Sequence, residues 1–77
     1  MAITTLGETV RTRREAAGLT RERLAVAAGC SVATLVRLEN LGQPPSLAIL
    51  ERLAGQLDTN AAELLYASTA PTAPAVP

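Results

Sequence analysis

Residues 19–40 read LTRERLAVAAGCSVATLVRLEN, from Leu19 to Asn40, and the fold turns on this stretch. Thr20 has the side chain of a helix N-cap, since its hydroxyl can accept an orphan amide of the first turn. Leu19 before the cap and Leu24 inside the first turn have the arrangement of a hydrophobic staple. Leu24, Ala25 and Ala28 recur at helical spacing, and Gly29 supplies a residue suited to the left-handed turn that ends a helix. Cys30, Ser31 and Leu35 then repeat the pattern of apolar residue, cap and apolar residue within the new helix. Two short helices across a tight glycine turn make a helix-turn-helix.

Winding residues 32–40 at about 100° per residue divides the second helix into two faces. Leu35 and Leu38 lie on one side, flanked by Ser31 and Glu39. Ala33, Val36, Arg37 and Asn40 lie on the other, with Val32 at the border. A helix that packs one face on its predecessor and presents the other suits the major groove of DNA, which such helices enter by their N-terminal part.

The flanking sequence completes an all-α domain. Thr5 and Glu8 are spaced as a capping box and open a first helix. Leu6, Val10 and Ala17 give it a modest apolar stripe, Arg13 or Arg14 continues that stripe, and Gly18 ends it. Leu41 to Pro45 is expected to be a loop, because prolines cannot continue a helix. Ser46 caps a fourth helix bearing Leu47, Leu50, Leu53, Ala54 and Leu57. Gly55 within it costs about 1 kcal/mol relative to alanine. Asn60 and Glu63 open a short fifth helix through Leu64, Leu65 and Tyr66. The domain is expected over residues 1–66. Residues 67–77, ASTAPTAPAVP, have too little apolar bulk to fold and read as a disordered tail.

With 77 residues this is one small domain, 48% hydrophobic, whose only aromatic side chain is Tyr66. Leu, Ala and Val must therefore build the core. One cysteine and no histidine exclude an internal disulfide and an ordinary zinc site. Cys30 reads as a buried small hydrophobe. No apolar run approaches the roughly 20 residues of a membrane span, and no signal-peptide pattern opens the chain, so a cytoplasmic setting is expected. The formal charge is zero, which counts against a strong nucleic-acid binder. Its distribution counts the other way, because six of the seven arginines precede Pro44, leaving Arg52 alone among three carboxylates beyond it. No cofactor is expected. Nor is catalysis, for want of histidine, a phosphate loop or paired carboxylates.

The order and spacing of "LGETVRTRREAAGLT" in the first helix, Leu24-Ala25, "S-x-x-T-L-x-x-L-E" from Ser31 to Glu39, "PSL" at Pro45 and "LAGQL" at Leu53 resemble the lambda-repressor-like (Cro/Xre-type) helix-turn-helix family over Leu6 to about Leu65. The resemblance implies a compact five-helix domain that binds duplex DNA sequence-specifically, commonly as a two-fold dimer, in transcriptional control. It places a phosphate contact at Arg21 and base contacts at Val32, Ala33 and Val36, with Arg37 and Asn40 further along and Ser31 and Thr34 beside them. It also pairs Arg14 with Glu39 in the interior. The chain departs from the family pattern at three points: Arg21 stands where glutamine is common, Val32 and Ala33 cannot hydrogen-bond a base, and Leu41 replaces a usual glycine. Ile49, Leu64, Leu65 and Tyr66 are the candidates for a weak homodimer interface. The apolar outward face also suits a protein partner, so the alternative is a protein-binding module of antitoxin or adaptor type.

Overall fold

The computed structural model describes residues 5–69. Five helices follow in order: α1 (Leu6–Ala16), α2 (Arg21–Ala28), α3 (Val32–Leu41), α4 (Leu47–Gln56) and α5 (Ala61–Thr69). Their starts are set by side-chain caps. At α1 the capping box is complete, with the Glu8 amide donating to Thr5 Oγ1 at 3.1 Å and the Thr5 amide to Glu8 Oε1 at 3.3 Å. Thr20, Ser31 and Ser46 cap α2, α3 and α4 by accepting from the amides of Arg23, Thr34 and Ile49, and Asn60 Oδ1 accepts from the Glu63 amide at the head of α5. Each satisfies an amide that the helix itself cannot.

Gly29 closes α2 with φ 71°, a backbone region costly for residues with a Cβ. The chain bends by 119° between α2 and α3, the open angle of a helix-turn-helix. Helix α1 packs on α3 and α5, α2 on α3 and α4, and α4 on α5. Helix α3 is thus gripped by α1 and α2, and its remaining side is left uncovered. Val10, Leu24, Leu35, Leu38, Leu53 and Leu64 are the largest fully buried side chains, with Ala25, Ala28, Ala54 and Ala61 between them. Small residues let the short helices approach closely enough for five leucines and Val10 to fill the centre.

Several expectations need correction. Leu41 completes α3 and Gly42 ends it with φ 70°, so the loop begins one residue later than expected. Ala17 caps α1 and is exposed, and the inward stripe of α1 continues through Arg14. Leu47 is 60% exposed at the start of α4. Helix α5 runs to Thr69, three residues into the expected tail, and Ser68 is buried. Its hydroxyl lies 2.6 Å from the Leu64 carbonyl and 3.1 Å from Thr9 Oγ1, so the last turn of α5 is docked on α1 by polar atoms that an apolar pattern cannot reveal. The rest of the expected tail, residues 70–77, lies outside the described residues. Among the described residues no single helix is long and apolar enough to cross a membrane.

Candidate nucleic-acid interface

The site is built on how α3 is held. Gly7 lies against α3 so closely that a Cβ there would collide with the Leu38 carbonyl oxygen and come 3.0 Å from Glu39 Cα. One turn pair further along α1, Arg14 reaches the same helix. Its Nε donates to Glu39 Oε2 at 2.9 Å, its Nη2 to Glu39 Oε1 at 3.1 Å and its Nη1 to the Leu19 carbonyl at 2.8 Å. The Glu39 side chain is wholly buried and that of Arg14 is 9% exposed. Its hydrogen bonding to the Glu39 carboxylate raises the Arg14 pKa above its ordinary value, against a smaller lowering by burial. A forked, two-point contact of this kind fixes orientation as well as distance.

Sequence reasoning missed that a second arginine shares the carboxylate. Arg21, the first residue of α2, donates from Nε to Glu39 Oε1 at 2.9 Å and from Nη2 to Asn40 Oδ1 at 3.5 Å. Glu39 therefore joins α1, α2 and the end of α3 at one point. No local signal in the sequence connects positions 18 residues apart on different helices. Gly7, by contrast, left a trace: a glycine inside a helical pattern costs stability and points to a close approach.

The candidate recognition residues are distributed unevenly over α3. Ala33, Arg37 and Asn40 are exposed, Thr34 and Val36 are half-buried, and Val32 packs partly against the core. The helix winding put Val32 at the border; the cluster beneath α3 takes it inward. Ser31 is exposed but occupied, since Ser31 Oγ accepts from the Thr34 amide at 3.1 Å and lies 3.0 Å from Thr34 Oγ1. The Arg37 side chain forms no hydrogen bond or ion pair among the described residues and borders a cleft of about 220 Å³ with Thr34, Gln43, Pro44, Pro45, Ser46 and Ile49. The outward face is less apolar than the sequence suggested, and its central cation is uncommitted.

The four residues expected at a dimer interface do not form one surface. Leu64 is fully buried, because the inward face of α5 fills the centre of the bundle. Ile49 packs against the core and borders the Arg37 cleft instead. Leu65 and Tyr66 remain at the surface, 40% and 70% exposed. Cys30 is half-buried, and desolvation pushes its thiol pKa up, outweighing the opposite pull of Arg52. That suits a packing role.

A family model described as a helix-turn-helix domain matches residues 5–66. Among solved structures, the N-terminal DNA-binding domain of SinR from Bacillus subtilis is 30% identical, with a TM-score of 0.73 over 78% of this chain and 88% of that one. SinR, the master regulator for biofilm formation, in complex with DNA is 31% identical, with a TM-score of 0.73 over 79% of this chain and 98% of that one. The clp gene regulator ClgR from Corynebacterium glutamicum is 28% identical, with a TM-score of 0.74 over 82% and 67% of the two chains. No curated protein matches the sequence.

Proposed function

The chain belongs to the helix-turn-helix domain family, in its lambda-repressor-like form, and on that premise we propose that it is a transcription regulator that binds duplex DNA sequence-specifically. The observation that carries this reading is the mounting of α3: two helices and a buried ion cluster hold it at a fixed angle, while the face bearing Ala33, Arg37 and Asn40 is uncovered. In this reading α3 enters the major groove by its N-terminal half. Ala33 and Val36 meet thymine methyl groups, Arg37 and Asn40 meet base edges or phosphates, and Arg21 meets the backbone. Ser31 and Thr34 line the entry of the helix. SinR bound to DNA is the precedent among similar structures.

The half-buried state of Val32 and Val36 removes much of the apolar surface that a protein partner would need. Pairing of two copies would enlarge the reading surface, with half-sites about 34 Å apart. Leu65 and Tyr66 are the residues we assign to such a weak contact. The protein's place, in this reading, is with the DNA in the cytosol or nucleoid.

A mobility shift with random-sequence duplex, repeated over a range of salt, tests the reading. Binding that weakens steeply as salt rises is expected, because neutralised phosphates release counterions. Absence of binding at low salt overturns it. Genome-wide capture then identifies the operator, and sedimentation with a palindromic site reports the stoichiometry.

A further inference from the structure

We propose that Glu39 is a positioning residue for DNA: its buried carboxylate holds Arg21 by Nε and so presents the outer edge of that guanidinium, already oriented, to a backbone phosphate. The inference rests on the DNA-binding function proposed above. The Arg21 side chain is 30% exposed, between the nearly buried Arg14 and the surface arginines. Its Nε is committed inward at 2.9 Å, its Nη2 makes only a 3.5 Å contact with Asn40, and its Nη1 has no partner among the described residues. A guanidinium is planar and its five N–H bonds are fixed relative to one another, so anchoring one determines where the others point.

The charges support the same assignment. Arg14 has a second carboxylate beside it, Glu15 at 3.9 Å, whereas Arg21 pairs with Glu39 alone. Arg14 donates to Glu39 twice and to Leu19 once and faces the interior. The less neutralised and more exposed guanidinium is therefore that of Arg21, the member at the surface. Arg21 is also the first residue of α2, where amides and the helix dipole favour an anion. The carboxylate that locks α3 to α1 is thus the one that aims the α2 contact. Grip on the phosphate and angle of the recognition helix share a single buried group.

The test uses the 77-residue chain, a fluorescent random-sequence duplex, and the variants Arg21→Lys, Arg21→Ala and Glu39→Gln. Affinity is measured against salt, and thermal midpoint without DNA. Arg21→Ala should reduce the log–log salt slope by about one, as for one lost phosphate contact. A purely structural arginine would lower the midpoint and leave that slope alone. Arg21→Lys keeps the charge but not the fork, so it should retain the slope while binding about tenfold more weakly. Glu39→Gln should weaken binding more in the wild-type background than in the Arg21→Ala background, where only its hold on α3 through Arg14 is left to lose, and equal weakening in the two backgrounds overturns the positioning role. If Glu39→Gln fails to fold, the lysine variant decides alone. Wild-type affinity in Arg21→Lys overturns the positioning role, and an unchanged slope in Arg21→Ala overturns the contact itself. A wild-type chain that binds no duplex overturns both this inference and the function beneath it.

Discussion

Helix α1 is held on its two sides by different physics. Toward α3 the contact is polar and close: Gly7 against the Leu38 carbonyl, and Arg14 forked on a buried Glu39. Toward α5 it is mainly apolar, with Val10 and Leu64 in the shared core and one hydroxyl pair, Thr9 and Ser68, at the edge. Apolar contacts are non-directional and tolerate small shifts, whereas a buried fork does not. The helix that must present a face at a defined angle has the directional attachment. The helix that only closes the core has the tolerant one.

Glu39→Ala should break the α1–α3 side most severely, by about 3–5 kcal/mol, because it strands the buried Arg14. Chemical denaturation should give that loss, and Arg14→Ala should cost less, since Arg21 still partners the carboxylate. Equal costs would mean that Arg21 contributes nothing to holding Glu39. Gly7→Ala comes next. It forces α1 off the α3 backbone and should cost about 3 kcal/mol, the upper range for overpacking. A neutral Gly7→Ala variant would show that the α1–α3 distance can relax.

On the α5 side the effects should be smaller. Ending the chain after Tyr66 removes the buried Ser68 hydroxyl and should cost about 1 kcal/mol, the net value of an ordinary hydrogen bond with its local packing. Replacing Thr9 and Ser68 together by alanine should cost about 1–2 kcal/mol, because each hydroxyl also bonds a backbone carbonyl nearby, Thr9 that of Thr5 and Ser68 that of Leu64, and neither single change leaves the other unpaired. Loss in the double variant as large as for Glu39→Ala would erase the contrast between the two sides. Tyr66→Ala should be smallest, within about 0.5 kcal/mol for the isolated domain, because the ring is 70% exposed. Its effect should appear in sedimentation on a palindromic duplex instead, where Leu65 and Tyr66 would meet a second copy.

Helix positions, caps and turn glycines were legible in the sequence because they are local. Thr5, Thr20, Ser31 and Ser46 satisfy amides three residues away, and Gly29 meets a backbone demand at its own position. The apolar residues of α3, Leu35 and Leu38, were assigned inward by periodicity alone, and the Arg14–Glu39 pairing followed from the resemblance, not from any pattern in the residues. Periodicity misjudged Leu47 and Ala17, because a helix end can lie beyond the reach of the core whatever its winding. It also cut α5 short at Tyr66, since Ser68 is held by a hydroxyl of α1 that is 59 positions away.

The sequence by itself determined where each helix starts and that Leu35 and Leu38 of α3 face the core. Only the tertiary structure decided what Arg21 and Glu39 do for one another, that Leu64 is unavailable to a partner, and that Val32 leans inward. The division has one cause. Capping and winding act over a single turn, whereas a shared buried charge or a filled core depends on three helices arriving at the same place.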